Sequence, residues 1–312
     1  MNFSNLKQQI LLLLCLMPAT LSGCASFNVG PYENSDKIAA TSGFHKDYLS
    51  VGTFELLTYS RITSPGSPVT VYIEGDGSSW LSRHRLSPDP TPRNPIALKL
   101  AALDQGANVV YLARPCQYVL QEGKGQSCLP LHWSTGRFAE EIIAAMDAAC
   151  TDIKKAAGAS ELHLVGYSGG GAIAVLLAAR RDDIASIRTV AGNLDHAEVN
   201  RFHEVSPLTE SLNPIDVSRA TSAVPQLHFV GDDDTTVPPE IAPHFLDRQN
   251  PAACGKIIHL PQATHTQGWE AAWPDLLRVP MPCMRQDNPS PLAHDTGTNT
   301  RQLTPDVRAA HP

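Results

Sequence analysis

A glycine-rich segment between two apolar stretches constrains the fold of this chain more than any other feature. Residues 161–165 (Glu-Leu-His-Leu-Val) are typical of a buried strand, and the alanine-rich residues 172–179 favour a helix. Between them stands Gly-Tyr-Ser-Gly-Gly-Gly (residues 166–171), which has the pattern G-x-S-x-G. A serine at such a junction occupies a strained turn that exposes its hydroxyl, and the flanking glycines let helix and strand approach closely. The segment therefore identifies Ser168 as a candidate catalytic nucleophile.

Two other structures can contain such a segment. A phosphate-binding loop is disfavoured, because no Gly-Lys-Ser or Gly-Lys-Thr sequence follows the glycines. A glycine-rich turn in which the serine has no catalytic role remains the alternative.

Further strand candidates alternate with helical stretches along the chain. The strand candidates are rich in β-branched and aromatic residues, and they are residues 51–59, 69–73, 108–112, 161–165, 187–191, 226–230 and 256–260. Residues 95–103 favour a helix, and Phe138, Ile142, Met146 and Ala149 recur at helical spacing. This alternation predicts an α/β fold with a mostly parallel central sheet and helices on both faces.

Over residues 51–284 the chain resembles the α/β-hydrolase superfamily of serine hydrolases. The likeness rests on the Ser168 segment and on the strand pattern around it. A narrower likeness, to a poorly characterised group of exported bacterial hydrolases, rests on residues 74–77, 112–118 and 191–196. The resemblance implies a Ser-acid-His triad in that chain order and requires no metal and no cofactor. It does not imply a particular substrate.

The resemblance also assigns the two partners of Ser168. The segment Gly-Asp-Asp-Asp-Thr-Thr-Val after the strand at 226–230 resembles the superfamily's acid loop, and its register selects Asp234, with Asp232 and Asp233 as alternatives. The segment after the strand at 256–260 resembles the terminal histidine loop and selects His265 as the general base. An acid that orients a base activates the weakly nucleophilic serine hydroxyl.

An oxyanion hole completes the expected machinery. One backbone N–H should come from Gly169, directly after the nucleophile. The other should come from Asp76, in the loop Glu-Gly-Asp-Gly (residues 74–77), which resembles the superfamily's His-Gly-x loop with glutamate in place of histidine. A plain Gly-Asp-Gly turn stays open as the alternative.

A substrate pocket is expected at the same edge of the sheet. Arg114, Asn193 and His196 follow predicted strands, on the rim where open α/β sheets form pockets, although capping and loop hydrogen bonds explain them equally well. Residues 193–224 form a longer connection, either a small lid or pocket wall or a surface excursion.

The N-terminus has the features of an export signal. Lys7 precedes an apolar core at residues 10–17, and Leu-Ser-Gly-Cys (residues 21–24) resembles the bacterial lipobox, in which the cysteine is acylated. We therefore expect a signal peptide over residues 1–23 and a lipid-anchored Cys24. An ordinary secretory peptide is the alternative. Ala25 implies an outer-membrane destination in a double-membraned host.

The segments on either side of the domain have little periodicity. Residues 24–50 are mixed and polar and suit a tether, while residues 285–312 are expected to be disordered. Export permits disulfides: Cys116 and Cys128 bracket a short loop, and Cys254 with Cys283 could fasten the last helix. Cys150 would then be a buried thiol.

Composition excludes one class of function. The formal charge is −7, and no run of Lys or Arg is longer than a pair, so a nucleic-acid partner is not expected. The expected partners are a small-molecule or lipid acyl substrate and the membrane reached through the anchor. A carboxylic-ester hydrolase is the leading expectation, and another acyl hydrolase or transferase and a catalytically silent binding lipoprotein are the alternatives. The oligomeric state stays open.

Overall fold

The computed structural model describes residues 30–251 and 253–283. The predicted signal peptide, Cys24 and the predicted disordered tail lie outside the described residues.

A twisted sheet of eight strands forms the centre of the protein. Its strands are β1 (His45–Val51), β2 (Phe54–Ile62), β3 (Val69–Ile73), β6 (Asn108–Leu112), β7 (Leu162–Tyr167), β8 (Ile184–Val190), β9 (Gln226–Gly231) and β10 (Gly255–Leu260). They lie in the order β1-β2-β6-β3-β7-β8-β9-β10, and β2 runs in the opposite direction to the other seven. A separate two-stranded ribbon consists of β4 (Trp80–Ser82) and β5 (Arg85–Leu86).

Helices cover both faces of the sheet, as the alternating pattern predicts. They are α1 (Pro31–Thr41), α2 (Ile96–Leu103), α3 (Glu140–Ala157), α4 (Gly169–Ala178), α5 (His196–Phe202), α6 (Ile241–Asp247) and α7 (Trp269–Leu276), with short 3₁₀ turns at Pro130–Trp133 and Pro214–Val217. One buried cluster joins α3 and α4 to the sheet, and a second joins α1, α2 and α7 to the opposite face. Within β3, Val71 belongs to the first cluster and Tyr72 to the second, because successive side chains of a strand point to opposite faces.

The two helices that flank β7 show how sequence selects position. Helix α3 buries Ile142, Met146 and Ile153 on one side, and its acidic first turn and basic last turn complement the helix dipole. It ends at Gly158, whose φ of 64° is a left-handed conformation that favours glycine. Helix α4 is apolar on every side, and all ten of its residues are buried. It therefore forms the centre of the layer that holds the glycine-rich junction in place.

The expected tether over residues 24–50 needs correction. Residues 31–41 form α1, whose Ala39 is buried against the domain, and residues 45–51 form β1, which pairs with β2. The expected strand at residues 51–59 is in fact the second arm of this hairpin, which turns at Gly52. The polar composition of α1 and β1 arises because both lie at the periphery, where only part of each element is buried.

Both expected disulfides are present in the structure. Cys116 is bonded to Cys128 and Cys254 to Cys283, with Cα atoms 5.6 Å apart in each pair. Cys150 is a buried free thiol, and burial raises its pKa to about 12. No helix in the described part of the chain combines the length and the apolar character needed to cross a membrane.

Candidate active site

Three polar side chains meet where three parallel strands end. Ser168 follows β7, Asp234 lies after β9, and His265 lies after β10. Because the strands are parallel, their carboxyl ends share one edge of the sheet, so residues far apart in sequence come together there.

The turn at Ser168 is strained in the way that the glycine pattern predicts. Its φ of 51° and ψ of −119° are rare for a residue with a side chain. A Cβ at Gly170 would overlap the carbonyl oxygen of Ile73, and one at Gly166 would overlap the backbone of Gly170. Only glycines at these positions let α4 start so close to β3, which leaves Ser168 partly exposed at the end of β7.

The three side chains form a hydrogen-bonded chain. His265 Nε2 lies 3.0 Å from Ser168 Oγ, and His265 Nδ1 lies 2.8 Å from Asp234 Oδ2. This network assigns the Nδ1–H tautomer, which donates to the carboxylate and leaves Nε2 to accept from the serine hydroxyl. The Asp234 side chain is 1% exposed and that of His265 is 15% exposed, so both are largely shielded from water.

Of the three consecutive aspartates, Asp234 alone reaches His265. Its Oδ1 accepts hydrogen bonds from the backbone N–H groups of Thr236 at 2.8 Å and Val237 at 2.9 Å, which leaves Oδ2 for the imidazole. Asp232 instead pairs with His259 on the surface, and Asp233 is exposed. The structure thus brings together the acid that the register selects, not its two alternatives.

Two aromatic side chains hold the histidine loop, and sequence reasoning gave them no role. Tyr167 Oη donates to the carbonyl oxygen of His265 at 3.1 Å, and Trp269 Nε1 donates to the same oxygen at 3.1 Å. The Tyr167 ring also lies 5.4 Å from the imidazole. Tyr167 directly precedes Ser168, and Trp269 follows His265 by four residues. This closeness in sequence to the triad could have indicated their role.

The loop after β3 lies directly beside the nucleophile. A Cβ on Gly75 would lie 3.3 Å from the Cβ of Ser168, and one on Gly169 would overlap the carboxylate of Asp76. No hydrogen bond from the backbone N–H of Asp76 or Gly169 to a described residue is present. The backbone N–H groups of both expected oxyanion donors therefore have no acceptor within the described part of the chain.

Two arginines hold the Asp76 side chain. Arg114 and Arg137 each form an ion pair with its carboxylate, and the Arg114 guanidinium lies 5.0 Å from the centre of the Phe138 ring. Burial alone would raise the pKa of Asp76, but the positive charges of Arg137 and Arg114 outweigh burial and lower it. Gln117 supports the same loop, because its Nε2 donates to the carbonyl oxygen of Gly75 at 2.9 Å.

Glu74 stands where the superfamily's His-Gly-x loop has its histidine. It is 1% exposed. Its Oε1 accepts from the backbone N–H of Gly75 at 2.9 Å and more weakly from that of Ala97 at 3.5 Å. Burial raises the pKa of Glu74 to about 7, although these N–H groups favour its charged form. The glutamate thereby ties the loop to the start of α2.

A cavity of about 620 Å³ opens beside this loop. Its walls are the β4–β5 ribbon, the segment around Arg137 and residues 200–208, and they include Trp80, Arg83, His203, Val205 and Leu208. Part of the connection over residues 193–224 is therefore a cavity wall. Arg137 links the cavity to the site, since the same side chain binds Asp76.

The expected pocket residues Arg114, Asn193 and His196 are not among the residues that line this cavity. Arg114 is occupied by Asp76 and by the carbonyl oxygen of Arg137. The backbone N–H of Asn193 donates to the carbonyl oxygen of Ser168 at 3.0 Å, and the ring of buried His196 stacks on Phe138 at 5.9 Å. These contacts join the three residues to the loops around the site. Among the described residues, no three His, Cys, Asp or Glu side chains are placed to hold a metal ion.

Comparison with solved structures places the fold among known ones. Est1E from Butyrivibrio proteoclasticus matches with a TM-score of 0.52 and 16% identity, over 74% of this chain and 97% of that chain. An alpha-beta serine hydrolase homologue from Coxiella burnetii matches with a TM-score of 0.52 and 17% identity, over 74% and 93% of the two chains. The esterase Pf2001 from Pyrococcus furiosus matches with a TM-score of 0.53 and 14% identity, over 76% and 90%.

With this sheet order and these neighbours, the protein has the α/β-hydrolase fold. Comparison with protein-family models finds no match, and comparison with curated proteins finds none either.

Proposed function

We propose that the protein is a serine hydrolase that cleaves a carboxylic ester or a related acyl bond. The observation that carries the proposal is the chain of two hydrogen bonds from Ser168 through His265 to Asp234, on a strained turn at the carboxyl edge of the sheet. Nucleophile, base and orienting acid at these distances are the arrangement that activates a serine hydroxyl.

Each group has a defined part in the proposed reaction. Ser168 Oγ bonds to the acyl carbon while its proton passes to His265 Nε2, and Asp234 stabilises the imidazolium that forms. The backbone N–H groups of Gly169 and Asp76 would donate to the oxyanion. As the acyl–leaving group bond breaks, His265 returns the proton to the leaving group. Water then attacks the acyl carbon as His265 takes its proton, and His265 passes that proton to Ser168 Oγ as the bond between Oγ and the acyl carbon breaks.

The structural neighbours support an ester substrate first. Pf2001 from Pyrococcus furiosus is an esterase, while a further match, from Pyrococcus horikoshii, is an acylaminoacyl peptidase at 13% identity and a TM-score of 0.51. Because one fold carries both activities, kinetics on matched ester and amide substrates with the same acyl group must decide between them. A higher kcat/KM for the amide would replace the ester proposal with an amidase or peptidase.

A fluorophosphonate probe tests the nucleophile directly. We expect covalent labelling of the native protein at Ser168 and none in Ser168→Ala. His265→Ala should lose labelling and turnover while its thermal unfolding changes little. The matched control is His259→Ala, an exposed histidine that also pairs with an aspartate and should keep full activity. If the native protein is not labelled, the remaining alternative is a catalytically inactive binding protein with this fold.

We also propose that the protein is exported and anchored to a bacterial membrane, in the outer membrane if the host has two, through an acyl group on Cys24. Two disulfides among the described cysteines support an oxidising compartment. The mass of the purified chain should show cleavage before Cys24 together with acylation. Cys24→Ser should abolish both, and an acylated Cys24→Ser chain would refute the anchor.

A further inference from the structure

The first described residues enter the domain close to the active-site edge. Tyr32, in the first turn of α1, donates through its Oη to Asp89 Oδ2 at 3.1 Å and accepts from the backbone N–H of Gln121 at 3.3 Å. Ser35 Oγ lies 2.8 Å from Tyr118 Oη. Asp89 lies in the connection after β3, and Tyr118 and Gln121 lie in the connection after β6. The start of α1 therefore lies at the carboxyl edge of the sheet, where Ser168 is.

Few residues separate this point from Cys24. The described chain begins at Gly30, six residues after the cysteine. Six residues span at most about 20 Å when fully extended, so an acylated Cys24 would hold this edge of the protein near the membrane surface.

The same edge carries exposed apolar side chains around the mouth of the cavity. Trp80, Leu81, Phe202 and Val205, which we call the apolar rim, are each between 42% and 58% exposed. Trp80 and Val205 also line the cavity. Arg83 Nη2 donates to the carbonyl oxygens of His203 at 3.2 Å and Glu204 at 3.0 Å, which joins the ribbon to the segment after α5. The two parts of the chain that carry the rim are thus joined directly.

The charges beside the apolar rim fit an anionic lipid surface. Arg83, His84 and Arg85 follow Trp80 and Leu81 after a single serine, and all three are exposed. Among the described residues that line the cavity, Glu204 is the one with an acidic side chain. Exposed tryptophan and leucine next to arginine are the composition of segments that lie in a membrane interface, where lysine and arginine are attracted to acidic headgroups. The local positive charge contrasts with the net charge of −7 for the whole chain.

We propose that the apolar rim lies in the headgroup region of the anionic phospholipid membrane that carries the Cys24 anchor. The cavity, which Arg137 links to the Asp76 loop next to Ser168, then opens toward the lipid, and acyl substrates reach the site from the membrane. The inference rests on the proposed anchor and deepens the proposed hydrolase, since it specifies where the substrate comes from.

Tryptophan fluorescence can test the contact, because Trp80 is exposed and Trp133, Trp269 and Trp273 are all buried. The full-length acylated protein is reconstituted in vesicles of phosphatidylethanolamine and phosphatidylglycerol, with ordinary or dibrominated acyl chains. Bromine quenches tryptophan only at close range. Comparison with Trp80→Phe identifies the part of the emission that comes from Trp80. We expect the brominated vesicles to quench that part.

Matched variants separate the rim from the anchor and from catalysis. Leu81→Asp combined with Phe202→Asp should abolish the quenching of Trp80. Ile62→Asp should not, because Ile62 pairs with the first residue of β6 at the opposite edge of the sheet and is also exposed. Ser168→Ala should keep the quenching of Trp80. Failure of the proposed hydrolase activity is therefore distinguishable from failure of the proposed membrane contact. Unquenched Trp80 in the acylated wild-type chain, or a native Cys24 without an acyl group, would overturn the inference.

Discussion

The carboxylate of Asp76 lies so close to the Cα of Gly169 that no side chain fits at position 169. A methyl group there would overlap Asp76 and approach the Arg114 guanidinium, and neither can move freely because they are paired. Gly169→Ala should therefore displace the loop that carries one proposed oxyanion donor. Loss of such a donor costs about 10²- to 10³-fold in rate, and we expect a fall in kcat of about that size.

Gly30→Ala is the control for this substitution. Gly30 has a φ of −63°, and a Cβ there would meet nothing within 4 Å, so its activity should equal that of the wild type. A Gly169→Ala protein that folds and turns over ester substrate at the normal rate would show that Asp76 and Gly169 do not act together.

The pairing of one aspartate with two arginines predicts a large effect on stability. Asp76→Asn keeps the shape of the side chain but leaves Arg114, which is 5% exposed, without its counter-ion. Breaking a buried ion pair on one side costs about 3–5 kcal/mol of unfolding free energy, and denaturant titration should show a loss of that order. Asp275→Asn breaks the exposed pair with Arg278 and should cost less than about 1 kcal/mol.

The triad could be predicted because each member follows a segment whose sequence clearly predicts a strand. The runs before Ser168, Asp234 and His265 are apolar and end in glycine or proline, so their shared edge follows from the parallel sheet. The two disulfides are those suggested by the short loop between Cys116 and Cys128 and by the positions of Cys254 and Cys283 on either side of the last helix.

Several features of the structure could not be predicted from local sequence patterns. Arg114 and His196 follow strands as pocket residues do, but each is buried against Phe138, a contact between segments that no local pattern encodes. The residues of α1 gave no sustained apolar period, because a peripheral helix needs only a narrow buried side. The cavity wall at residues 200–208 likewise depends on the ribbon opposite it.

The buried thiol should be chemically inert in the native protein. Cys150 is fully buried in the layer between α3 and the sheet, and burial raises its pKa to about 12, so very little thiolate forms near neutral pH. Peptide mapping after iodoacetamide treatment should find the Cys150 peptide unmodified in native protein and modified after denaturation. Modification under native conditions would indicate that α3 opens readily from the sheet.

Glu74 should make the protein less stable as pH rises. Its pKa is about 7 in the folded state against 4.5 for a free glutamate, so between these values the folded state binds more protons than the unfolded state. Unfolding free energy therefore falls as pH rises from about 4.5 to 7, by on the order of 2–3 kcal/mol from this group, and changes little beyond.

Glu74→Gln isolates this contribution. Glutamine keeps an oxygen that accepts from the Gly75 N–H but carries no proton to lose. Urea titrations at pH 4.5 and pH 8 should show that the variant gains stability relative to wild type between the two pH values. Glu240→Gln, at an exposed glutamate, should show no such gain. A constant difference between Glu74→Gln and wild type at both pH values would mean that Glu74 stays charged in the folded protein, and that the loop beside Ser168 tolerates a buried carboxylate.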